Sequence, residues 1–115
     1  MTVKHSTDVE AKNVAAGKDT TIQVLISSKE GPNFALRKFS MQQGGRMPRH
    51  TNMVEHEQYV LHGEAKITIG EETHHVKQEM WFLSPKARFI RIRTRGMSRL
   101  NSCALSPTRK IRLRF

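Results

Sequence analysis

Short runs of strand-type residues, each closed by a turn former, dominate this chain and leave little room for an amphipathic helix. TTIQVLIS (Thr20 to Ser27) leads into KEGPN, where Gly31 and Pro32 predict a turn. FALRKFSM (Phe34 to Met41) follows, and then QQGGRMP, where Gly44 and Gly45 permit a sharp backbone reversal. EQYVLH (Glu57 to His62), Gly63, AKITI (Ala65 to Ile69), GEE and THHV predict a meander with a hairpin turn at Gly63. EMWFLSP (Glu79 to Pro85) is the most apolar run. At 115 residues there is room for one domain with a real core and not for two. An all-β, antiparallel sandwich or small barrel over residues 20 to 115 is expected, preceded by an N-terminal arm or edge segment over residues 1 to 19.

Histidines gather at one strand entrance. In RHTNMVEHEQYVLHGEAKI (Arg49 to Ile67), His50 and Asn52 are two residues apart, so on a strand both face one cavity. His56 can return to that cavity from the next strand after a bend through Met53, Val54 and Glu55. Neutral imidazole is a good ligand for Mn, Fe, Ni, Cu or Zn, whereas Asn offers only a carbonyl oxygen. His50 and His56 are therefore the candidate metal ligands, with Asn52 a third of weaker kind. The alternative is three ordinary polar loop residues with no ion. Elsewhere, His62 beside Gly63 reads as exposed, adjacent His74 and His75 must face opposite ways, and His5 lies in the arm.

The stretch from Gly31 to Pro85 resembles a small single-domain cupin. The family's first signature is a Gly, five residues, H-x-H, three or four residues, a Glu, six residues and a Gly. Gly44, His50 and Gly63 stand at those intervals. His56 occupies the Glu slot, as in a manganese-type subgroup that uses four histidines. The resemblance implies a double-stranded β-helix, or jelly-roll barrel, around a divalent transition metal. It also implies a pocket role for Arg37, which could hold an anionic substrate, and a place in the core or pocket wall for Tyr59 and Trp81. Two positions depart from the pattern. Asn52 stands where the family has its second histidine. In the second signature Pro85 is present, but the ligand slot five residues on is Ile90 and the Asn slot four beyond that is Thr94. With two of four ligands gone, the metal is expected to be degenerate or lost.

Charge singles out the same C-terminal region. Residues 1 to 84 balance ten Lys and Arg against ten Asp and Glu, while residues 85 to 115 carry ten Lys and Arg and no acid, so the net charge of +10 belongs to the tail. One account is a single-base frameshift over residues 86 to 115. Back-translated with suitable codons and read in a neighbouring frame, the region supplies a His at the slot of Ile90, an Asn at the slot of Thr94 and a typical last cupin strand. The other account is a genuine basic tail. As written, FIRIR and KIRLRF alternate apolar and charged residues, so Ile90, Ile92, Ile111 and Leu113 could face a core behind a hydrated row of Arg. Such a row can bind phosphates, but with only Phe89 and Phe115 as aromatics, nucleic acid is not the expected partner.

Three functions remain open. The first is a small cupin with a degenerate metal site that activates oxygen or converts a small molecule. The second is a metal-free, non-catalytic cupin that binds a small-molecule ligand. The third, resting on the tail alone, is a basic nucleic-acid-binding protein. The lone Cys103 excludes an internal disulfide and a thiolate metal cluster. The polar N-terminus and the absence of a long apolar run predict a soluble, cytoplasmic protein without membrane contact. Open sheet edges predict a homodimer.

Overall fold

The structure, a computed structural model, describes residues 3–52, 54–94 and 99–108. Its regular elements are a 3-10 turn at Ser6–Asp8 and eight strands: β1 (Lys12–Asn13), β2 (Lys18–Ile26), β3 (Phe34–Thr51), β4 (His56–Ile69), β5 (Glu72–Lys77), β6 (Trp81–Ser84), β7 (Phe89–Thr94) and β8 (Leu100–Pro107). Among the described residues every strand pairing is antiparallel. The expected all-β barrel is what forms. Among the described residues β1 pairs only with β2, and β2 starts two residues before the expected boundary.

Two long strands organise everything else, and both correct the sequence reading. Gly44 and Gly45 do not reverse the chain. β3 runs through them, because Gly44 takes up a left-handed backbone (φ 75°) that absorbs an irregularity without ending the strand. Likewise Gly63 (φ 91°) is no hairpin turn but a bend inside β4, next to a register shift between Val60 and His62. Both strands thereby pass from one half of the barrel to the other. Their first halves pair with β8, at Phe34–Met41 and Glu57–Gly63. Their second halves pair with β7, at Arg46–Thr51 and Ala65–Ile69. β2 and β6 flank the first half, and β5 flanks the second.

The core lies between the halves and obeys strand alternation. In β4, Val60, Ala65 and Ile67 are buried, and in β8 so are Leu100, Ser102, Ala104 and Ser106. The basic C-terminal region is part of this core. Ile90 is 1% and Ile92 7% exposed, as the alternation of FIRIR predicts, while Ile111 and Leu113 lie outside the described residues. Burying an isoleucine of this kind stabilises a fold by roughly 2 kcal/mol. Among the described residues, no helix is long and apolar enough to cross a membrane.

Candidate functional site

Between the two halves lies a cavity of about 300 Å³, and inward-facing positions of five strands furnish it, with Thr20 and Ile22 from β2. β3 brings Arg37, Phe39, Met41, Met47 and His50, and β4 brings His56 and Gln58. β7 adds Ile90 and Ile92, and β8 adds Leu100 and Ser102. Asn52, just past the end of β3, completes the rim. The sequence-derived trio of His50, Asn52 and His56 thus lines one cavity, and Arg37 joins it.

Each histidine is held by a different contact. His50 Nδ1 lies 2.8 Å from the carbonyl oxygen of Pro48, so that nitrogen donates and leaves Nε2 as the acceptor. His56 opens β4 opposite Ser84 and is nearly buried. Its Nε2 lies 3.2 Å from Arg37 Nη2, and because a guanidinium can only donate, Nε2 must accept. Burial, the Arg37 charge and the nearby His50 push the His56 imidazole down to about 4, so it is neutral at physiological pH. Arg37 also donates to Ser106 Oγ at 3.1 Å and lies 5.7 Å from the Phe39 ring centroid. Its Nε is buried with no hydrogen-bond partner among the described residues.

Tyr59 and Trp81, expected as pocket wall, are not in this cavity. Tyr59 has the opposite parity to His56 and Gln58 on β4, and it pairs with Trp81 on β6 with both side chains outward, 45% and 74% exposed. The other histidines stay outside as well. His62 is exposed, His74 and His75 are 3.3 and 3.1 Å from Glu72 and Glu64, and His5 caps the 3-10 turn. Sequence reasoning missed Ser106, the neutral partner of Arg37 contributed from β8. It also missed Gln58, although its two-residue spacing from His56 places it on the same face.

The donor set does not fit a tightly held divalent cation. Among the described residues, no three His, Cys, Asp or Glu side chains gather closely enough to share one. Among the described residues the cavity offers two imidazoles, the amides of Asn52 and Gln58, no carboxylate, and a guanidinium on the His56 nitrogen that a metal would need. The residue paired with His50 across β3 and β7 is Ile90, an aliphatic side chain.

No protein-family model and no curated protein matches the chain. Solved structures do. The polyketide cyclase RemF from Streptomyces resistomycificus superposes with a TM-score of 0.86 and 27% identity, over 95% of this chain and 80% of that one. A predicted oxalate decarboxylase from Thermotoga maritima gives a TM-score of 0.82 at 15% identity, over 92% of this chain and 98% of that one. A cupin-2 domain from Rhodospirillum rubrum gives 0.80 at 18%, over 96% and 77%. The chain thus has the barrel fold of small cupins.

Proposed function

We propose that the barrel is a metal-free binding site for a small, largely apolar molecule bearing an anionic or enolisable oxygen. One observation carries this reading. Arg37 is a cavity guanidinium whose described partners, His56 and Ser106, are both neutral, and its buried Nε has none. A charge taken out of water without a counter-ion is costly. An anionic oxygen of a ligand would supply that counter-ion in bidentate geometry. The walls of Phe39, Met41, Met47, Ile90 and Ile92 suit an apolar body.

The likeness to a polyketide cyclase supports a catalytic version of the same site. Ring closure of a polyketone begins with loss of a proton from a carbon beside a carbonyl. Neutral His56 Nε2 would accept that proton while Arg37 leaves it to hold the oxygen on which the electron pair settles. The hydrogen bond between the two residues would then be exchanged for one contact each with substrate.

A manganese-type site is the other reading, and it depends on the frameshift. A histidine in place of Ile90 and an asparagine in place of Thr94 would make the second signature whole. The close packing of Ile90, Ile92 and Leu100 favours the chain as it stands. Sequencing the gene across the codons for Ser84 to Arg88 tests the frame directly.

The binding experiment is calorimetry with 2-naphthoate after exhaustive chelation. Saturable binding at one site, unchanged by chelator and lost in Arg37→Met, is expected. One equivalent of transition metal in the purified protein, removed by chelator together with binding, would overturn the reading.

A further inference from the structure

The outer surface of the barrel's second half carries a feature that the cavity does not explain. Strand register places Lys18 of β2 opposite Arg46 of β3, Arg46 opposite Arg93 of β7, Arg93 opposite Lys66 of β4, and Lys66 opposite His75 of β5. Directly opposed residues of antiparallel strands point the same way. The five therefore form one row across five strands, and all five are exposed. At the usual strand spacing the row is roughly 19 Å long. Arg91, two residues from Arg93 on the same face of β7, begins a second rank roughly 7 Å away. Arg49 adds a guanidinium near that rank, over the ring of Phe89 at 3.9 Å from its centroid.

Like charges placed directly opposite one another oppose sheet formation, and little on this face offsets them. Its described acid is Glu64, which is engaged with His75 at 3.1 Å. No described salt bridge neutralises Lys18, Arg46, Lys66, Arg91 or Arg93. Only two of these five come from the acid-free tail; the fold draws Lys18, Arg46 and Lys66 to them from the charge-balanced part of the chain.

We infer that this face binds the phosphodiester backbone of a nucleic-acid duplex, without base specificity, through the ranks of Lys18, Arg46, Lys66, Arg91 and Arg93. A regular array of exposed cations answers a regular array of phosphates, and displacement of counter-ions from the duplex drives the association. A single strand is the poorer match, because Phe89, 45% exposed with Arg49 over one side of its ring, is a lone aromatic on this face and not the series of rings on which successive bases stack. A membrane surface is also the poorer match, since peripheral attachment couples basic residues to an apolar anchor. Phe89 is a single exposed apolar side chain on this face, whereas the contiguous group of Tyr59, Trp81, Leu83 and Leu105 belongs to the barrel's other half.

Fluorescence anisotropy of the full chain with a labelled mixed-sequence duplex about two helical turns long tests this inference. Binding at low salt is expected, with log affinity falling on log salt with a slope of about −4. Arg93→Gln with Lys66→Gln is expected to weaken binding at least tenfold and to lower the slope by about 2. Arg91→Gln with Arg46→Gln should do the same. Lys29→Gln with Lys38→Gln, a loss of equal charge away from the row, should leave both quantities near wild type. Thermal unfolding of each variant establishes that the fold persists. No binding at low salt, equal losses in the control pair, or binding to phosphatidylserine vesicles without binding to duplex would each overturn the inference.

Discussion

Arg37 and His56 meet inside the barrel at 3.2 Å, one permanently charged and the other kept neutral by burial and by that charge. They come from different long strands, β3 and β4, both of which also pair with β8. The contact thus ties the chemistry of the cavity to the closure of the barrel. Replacing Arg37 by Met removes the buried charge while keeping much of the side-chain volume. Removing a cation that has no described counter-ion relieves its desolvation cost, and this offsets the loss of its hydrogen bonds to His56 and Ser106, each worth roughly 1 kcal/mol. Arg37→Met should therefore abolish naphthoate binding without lowering the urea midpoint, and a variant that unfolds more readily would show that Arg37 is structural.

His56 gives the fold an acid sensitivity whose sign follows from its shift. Its folded value of about 4 lies below the ordinary 6.5, so the unfolded chain binds the proton more readily. The contribution is fully present above about pH 6.5 and is lost progressively as pH falls towards 4. Its size is roughly 3 kcal/mol. Urea denaturation across this range should show stability rising with pH, and His56→Asn should flatten that rise. Proton NMR on Arg37→Met should show the imidazole titrating higher than in wild type, since one of its depressing charges is gone.

The barrel and the cavity trio were legible because period-2 alternation and histidine spacing are local signals. Ile90 and Ile92 could be assigned inward from FIRIR alone. The errors came from glycine. Gly44 and Gly63 stand at intervals that read as reversals, yet each holds a positive φ inside a continuing strand, and only the neighbouring strands decide between turn and bend. Misreading Gly63 obscures that β4 serves both halves. Tyr59 shows a different failure, in which resemblance suggested the pocket although its odd spacing from His56 already placed it outside. The cation row was not legible at all, because it is a property of register between five strands.

Gly63 is the position where substitution should cost most for its size. A Cβ there would collide with the backbone carbonyl of Arg99, and its φ of 91° is one that L side chains rarely adopt. Backbone cannot give way as a flexible side chain can. Gly63→Ala should destabilise by roughly 3 kcal/mol or more, whereas Gly44→Ala meets nothing within 4 Å and bears only the strain of its φ. Thermal melts of the pair separate collision from strain, and equal losses would refute this account of Gly63.

If missing donors are what make the cavity unsuited to a metal, restoring them should change its binding. Asn52→His with Ile90→His would place four imidazoles, including His50 and His56, around the space that Asn52 and Ile90 now line. The double variant should retain about one equivalent of divalent transition metal through gel filtration. Burying a polar ring at Ile90 should cost roughly 1–3 kcal/mol in the metal-free state, recovered on metal binding. Failure to take up metal would point to the Arg37 charge as the obstacle, which addition of Arg37→Met would then relieve.

The homodimer expected from the sequence requires a surface, and the first half of the barrel offers one. Tyr59, Trp81, Leu83 and Leu105 are 45%, 74%, 44% and 37% exposed on adjoining strands β4, β6 and β8, with Leu36 and Cys103 beside them. Tyr59 pairs with both Trp81 and Cys103, so the apolar surface is continuous across the sheet rather than scattered. Contiguous apolar patches beyond a few hundred Å² are uncommon on monomers, and a specific interface buries roughly 800 Å² from each partner. A second copy presenting the same face would cover these side chains while leaving the cation row free on the opposite half. Light scattering should then give twice the chain mass, and Trp81→Lys with Leu83→Lys should halve it without altering the circular dichroism spectrum. A wild-type protein that is monomeric at all accessible concentrations would refute the pairing and leave this face without an assigned occupant.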